Sequence, residues 1–255
     1  MLYTNIFATV PRFVAGGTSH WVAIILGLLV LGLAIWSHRQ NPQGKLAKTL
    51  HWFLVLAAFT APLHTVLAHG ITKTQPTWAH LLPLHICDLA AICAGLALLT
   101  RKPLWCLLTY YIGLGGTLQG VITPNASFAP PHPTFFAFFQ LHLTVVIIAF
   151  FLPLGLRWRP QPPLWRSLLK AFLYVEGYLL TIFVINSFIG TNFAFVMGKP
   201  PNPSLFDKLG PYPFYLLPMQ FLVILVLSLI TLPFVFVKKK RKIYRSKIEY
   251  SPLFF

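Results

Sequence analysis

The segment Leu82-Pro83-Leu84-His85-Ile86-Cys87-Asp88-Leu89 sets an imidazole, a thiol and a carboxylate within four residues. Ionisable groups are expensive inside an apolar run, so each marks a site by default. On a regular helix His85 and Asp88 stand about 60° apart and share a face. The carboxylate is then expected to orient the imidazole. Cys87 falls about 160° from His85 and shares no face with it. Pro83 frees a carbonyl one turn back, near His80. A second imidazole, His142, follows Gln140 in a later apolar run.

Other polar side chains belong at the same depth. His64 lies one turn from the end of its run, Gln119 near the end of another, and Asn186 and Asn192 flank a third. Four or more helices thereby bring hydrogen-bonding groups to one level, with Glu176 the exception near mid-span. A lone buried histidine or amide is ordinarily a satisfied packing residue. The convergence is what sets His85, Asp88 and His142 apart.

Two chemistries suit this set. One is an intramembrane lipid enzyme that transfers or hydrolyses acyl groups. Cys87 would be its nucleophile, His142 or His85 its base and Asp88 the orienting group. Gln119 or Asn186 would donate to the oxyanion. The other is a non-enzymatic protein that binds or transports a small polar molecule or lipid headgroup, lined by Gln119, Asn186, Asn192 and His64. His85, Asp88 and His142 are also ligand types that zinc accepts, but no signature spacing accompanies them. No metal or cofactor is expected.

The elements that position these groups are helices in a membrane. Of the 255 residues 56% are hydrophobic and 9% charged. A soluble domain carries roughly 25% charged residues, so most of this surface must face lipid. Seven runs are long enough to span, at residues 19–37, 49–68, 80–100, 104–122, 134–154, 167–189 and 212–237. No ten-residue alternation indicates a barrel. The fold class is therefore all-α, a polytopic transmembrane bundle of about seven helices.

Charge sets the orientation. Sixteen Lys and Arg residues fall on one side of the alternating loops and four (Arg12, Lys73, Lys199 and Lys208) on the other. The richer side is cytoplasmic by the positive-inside rule, which puts the N-terminus outside. The net charge of +16 lies between apolar runs, so it reads as orientation signal and headgroup contact and not as a nucleic-acid footprint. The three cysteines, Cys87, Cys93 and Cys106, lie within apolar runs and form no disulfide framework. No cleavable signal is evident.

Three regions follow. Residues 1–18 form an interfacial segment with Phe7, Arg12 and Phe13. Residues 19–237 form the transmembrane domain. Residues 238–255 are a basic cytoplasmic tail suited to anionic lipid. The long outer loop at 190–211, rich in proline and aromatic residues, is expected to fold back over the bundle. Gly116 and Gly120 make a small-residue spacing that reads as packing. The chain is placed in the cell membrane as a multi-pass protein, with membrane lipids as its partners.

The stretch 82–89, the segment with Gly113, Gly115, Gly116 and Thr123-Pro124, Gln140-Leu141-His142, and the run Asn186, Gly190-Thr191-Asn192-Phe193, Lys199-Pro200, Gly210-Pro211 and Pro213 together resemble the YwaF-like family of bacterial integral membrane proteins. A distant animal relative of that family is a membrane lipid acyltransferase. The resemblance implies a histidine on the fifth helix, matched by His142, and a nucleophile on the third. In the animal pattern a cysteine directly precedes the third-helix histidine; here Leu84 stands there and Cys87 lies three residues on.

Overall fold

The computed structural model describes residues 10–72, 77–200 and 205–236, apart from the side chains of 205 and 206. Phe7, Lys73 and the basic tail lie outside the described residues.

Helix α1 is Thr18–Gln40 and α2 is Lys45–Thr72. The third crossing is built from the short α3, Trp78–Leu81, and from α4, Ile86–Thr100. The fourth is α5, Pro103–Ile112, which runs through a π-turn at Gly113–Thr117 into α6, Leu118–Ile122. Helices α7, Pro133–Leu154, α8, Leu164–Ile189, and α9, Leu216–Val235, complete the bundle. Six crossings are long and apolar enough to span a membrane, with Trp78–Thr100 counted as one. The composite α5–π-turn–α6 makes the seventh, so the sevenfold reading holds. Among the described residues the only strand-like pairing is an isolated bridge between Arg12 and Phe128.

Helix α7 is the hub. It packs against α1, α2, α4, α5 and the π-turn, and 67% of its apolar window is buried, against 11% for α8 and α9. Those two outer helices present Leu180, Phe188, Leu217 and Phe221 to their surroundings. A helix that is apolar all round while exposed belongs in lipid. The core beneath is made of small and branched side chains, among them Ala90, Ala91, Ala94, Val145, Ile148 and Ala149.

Two crossings depart from regular helix, and both departures have a sequence cause. Pro83 lacks an N–H and forces the residue before it out of helical geometry. Leu82 is extended at φ −104° and ψ 124°, and the chain resumes its helix only at Ile86. The π-turn coincides with Gly113, Gly115 and Gly116, the densest glycine segment of the chain.

The long loop at 190–211 folds back as expected in its described part. Gly190 ends α8 in the left-handed region, at φ 67°, a conformation natural to glycine. The following 3-10 turn, Phe193–Phe195, buries Phe193 completely against Ile182, Val196 and the neighbouring Leu82 and Leu84. At the other end of the sequence, the segment before α1 is pinned to the 127–129 loop. Phe13 N–H donates to Ser127 O, and Ala129 N–H donates to Pro11 O.

Candidate functional site

The break at Pro83 builds the centre of the site. His85 is not inside a helix: it is the N-cap of α4, at φ −71° and ψ 156°. Asp88 does reach back to His85, but to its backbone. Asp88 Oδ2 accepts the His85 N–H at 2.9 Å. The expectation that the carboxylate orients the imidazole is therefore corrected. Because the proline break makes His85 a cap, the orphan donor of the first turn takes the carboxylate instead.

The imidazole of His85 is held by the folded-back loop. Its Nδ1 accepts the Ala194 N–H at 3.3 Å. Phe193 stands edge-on to the ring at 5.3 Å and Phe195 tilts against it at 5.5 Å. An Nδ1 that accepts leaves the proton on Nε2, so His85 offers a donor. Ala194 and Phe195 both have φ near 56°, a left-handed backbone uncommon for such residues. Strain of this kind persists where surrounding contacts enforce it. Asn186 supplies that enforcement: its Oδ1 accepts from Phe193 N–H at 2.9 Å and Thr191 Oγ1 at 2.8 Å, and its Nδ2 donates to Phe193 O at 3.1 Å.

His142 has the complementary tautomer. Its Nδ1 lies 2.8 Å from the Phe138 carbonyl, which can only accept, so Nδ1 carries the proton and Nε2 a lone pair. The ring stacks on Phe138 at 4.1 Å. It also lies against α6, where a Cβ added to Gly120 would overlap its Cδ2 and Nε2. Gly120 is thus the glycine of the pair whose smallness matters, while Gly116 has open space around it. His142 and His85 are close enough for their charges to interact.

Three further groups join them. Cys87 lies beside Asp88 and Thr117. Thr117 closes the π-turn and is wholly buried. Tyr178 of α8 comes within electrostatic range of Asp88 and Cys87, and its hydroxyl donates to the Leu84 carbonyl at 2.8 Å. Asp88 Oδ1 is buried with no hydrogen-bond partner, and the buried Thr117 Oγ1 faces only the Cys87 thiol. Neither imidazole bonds the Cys87 thiol, which packs along the core with Ile86 and Leu89. A histidine-activated cysteine is thus absent from this arrangement.

The remaining sequence candidates go elsewhere. His64 Nδ1 meets Gln140 Oε1 at 2.7 Å, joining α2 to α7, and Gln140 Nε2 donates to Ala57 O and Thr60 Oγ1. Gln140 and His142 are two residues apart on α7 and so face nearly opposite ways. Gln140 lines an apolar cleft of about 860 Å³ bounded by α1, α2 and α7, with Phe53, Phe136 and Leu26 on its walls. The lining of that cleft includes no residue of the His85–His142 cluster. Asn192 braces the loop through Met197 N–H and Gly198 O. Gln119 is exposed. Glu176 pairs with Gln220 Nε2 at 3.3 Å. Among the described residues no three His, Cys, Asp or Glu side chains are grouped as a metal ion would require.

Sequence reasoning missed Thr117 and Tyr178, since a threonine or tyrosine in an apolar helix is unremarkable until the fold shows what it faces. It also missed His20, which ties α1 to α6 by accepting Gly16 N–H at 2.9 Å and donating to Val121 O at 2.8 Å.

A helical bundle with seven crossings, a proline break and a π-turn that bring two oppositely poised histidines together, defines a polytopic membrane protein with an internal polar centre. The chain belongs to the TMEM164 family, which matches residues 15–231. No curated protein and no solved structure matches it.

Proposed function

We propose that the polar centre binds the hydroxyl- or amine-bearing part of a membrane lipid. The observation that carries this is the buried, unpartnered Asp88 Oδ1, with Thr117 Oγ1 beside it facing only the Cys87 thiol. Leaving such an oxygen unmet costs about 1–3 kcal/mol, and a ligand that supplies an O–H or N–H removes that cost. The His85 Nε2–H donor and the His142 Nε2 acceptor complete a set that reads a group able both to donate and to accept. Placement inside a bundle whose outer helices face lipid favours a lipid over a soluble solute.

The test is to purify the protein with its co-extracted lipid and identify that lipid by native mass spectrometry. Thr117→Val and Asp88→Asn are expected to shed it while the protein stays folded. Retention of the same lipid by both variants overturns the proposal. Exchange of the bound species for a soluble polar molecule favours a solute-binding protein instead.

Acyl transfer or hydrolysis is a second reading, supported by one observation. The His142 Nδ1–H···Phe138 contact keeps Nε2 free of a proton, the state a general base needs. The likeness to the YwaF-like family and its acyltransferase relative supports the same reading. In it, His142 Nε2 takes the proton of a hydroxyl or water as its oxygen bonds to the carbonyl carbon of a bound ester, and returns that proton to the departing alcohol oxygen as the acyl C–O bond breaks. With labelled phospholipid, His142→Gln should abolish turnover and Cys87→Ala should not. Loss of turnover in Cys87→Ala alone would restore the thiol as nucleophile.

For placement in the cell we propose the cell membrane, and the distribution of Lys and Arg supports an orientation with Arg39, Lys48 and Arg101 on the cytoplasmic face.

A further inference from the structure

At the opposite end of α4 from His85, four basic side chains converge with no carboxylate among the described residues to neutralise them. Arg101 caps α4 and turns the chain into α5, His38 comes from the last turn of α1, and Lys48 and His51 come from the start of α2. Together they line a small cleft with Trp52 and Pro42. Arg101 interacts electrostatically with both imidazoles, and these interact with each other. All of these interactions are between like charges when the imidazoles are protonated.

Among the described residues no acidic side chain reaches this cleft. The sequence has four carboxylates. Asp88 lies thirteen residues back along α4, roughly 20 Å away. Glu176 pairs with Gln220, Asp207 with Lys199 at 3.8 Å, and Glu249 is outside the described residues. The Arg101 side chain has no hydrogen bond or ion pair among the described residues. Burial pushes its guanidinium below the ordinary value, yet an arginine stays charged. A partly buried charge without a counter-ion is costly.

The backbone at Arg101 is a second, independent sign. It adopts φ 53° and ψ 12°, the left-handed helix end that glycine ordinarily fills. Arginine adopts it only at a cost in strain, which Arg101→Gly would remove.

We propose that this cleft is an anion site for a phosphate group, presented by a phospholipid headgroup or by free phosphate. Guanidinium and ammonium supply the charge, and the two imidazoles can supply N–H donors. The cleft holds about 20 Å³, enough for one water-sized atom and therefore for one phosphate oxygen, with the rest of the group outside.

The experiment uses the full chain in nanodiscs of phosphatidylcholine. Inorganic phosphate is titrated against thermal unfolding and phosphorus NMR line width, with chloride at matched ionic strength as control. In parallel, nanodiscs containing phosphatidic acid are compared with pure phosphatidylcholine. Arg101→Gly suits the left-handed backbone and should fold at least as well as the parent. It should weaken binding about tenfold or more, the loss expected for a charge-assisted contact. Lys48→Gln, at an exposed position, should weaken binding with no effect on folding. A response to inorganic phosphate identifies free phosphate as a ligand; a response to phosphatidic acid alone identifies the headgroup. If neither responds, or if Arg101→Gly binds as the parent does, the proposal falls.

Discussion

At the scale of single residues, the site rests on tautomers and on one close approach. His85 and His142 are chemically identical side chains with opposite free nitrogens, because one accepts from Ala194 N–H and the other donates to Phe138 O. Gly120 lets the second of them lie against α6. Gly120→Ala should force the His142 ring away and destabilise the protein by about 1–3 kcal/mol, the usual cost of overpacking. Thermal unfolding in detergent measures it. Thr117→Val should behave differently. The Thr117 hydroxyl faces only the Cys87 thiol, so in delipidated protein the nearly isosteric replacement should leave the unfolding midpoint almost unchanged. With the proposed lipid bound, the same replacement should lower the midpoint because the ligand is lost; a clear drop in delipidated protein would mean that Thr117 has a protein partner.

At the scale of elements, the site is a product of irregularity. The break before α4 exposes the Leu84 carbonyl, which Tyr178 satisfies, and it makes His85 a cap. The 3-10 turn at Phe193–Phe195 closes over it, fastened by Asn186. Asn186→Ala should leave the buried Phe193 N–H and C=O unpaired, at about 1–3 kcal/mol for each group. Hydrogen exchange of the 191–197 segment should then rise well before α7 is affected. Unchanged exchange would show that packing of Phe193 suffices. Tyr178→Phe should cost about 1 kcal/mol, the net worth of a single hydrogen bond. Of these elements the sequence revealed Pro83 and the loop's proline-aromatic character. It did not reveal that Asp88 would bind a backbone donor, because the i,i+3 argument assumes an unbroken helix.

At the scale of the whole molecule, α7 is buried and α8 and α9 face outward, so the polar centre lies between hub and periphery. Orientation belongs to this scale as well. A C-terminal green fluorescent fusion should fluoresce and a C-terminal alkaline phosphatase fusion should be inactive, as expected for a cytoplasmic end. The reverse pattern would overturn the charge-based assignment.

The sequence by itself determined the class of protein. Charge scarcity, span length and the sevenfold run of apolar segments follow from local composition, which the membrane reads one segment at a time. His85, Asp88 and His142 were legible for the same reason, since an ionisable group in an apolar run stands out without a fold. The tertiary structure alone decided who meets whom. Lateral packing and helix rotation are set by contacts between distant segments. Those contacts sent His64 and Gln140 to one side of α7 and His142 to the other, left Gln119 exposed, and brought in Thr117, Tyr178 and the Arg101 cleft, which no spacing along the chain encodes.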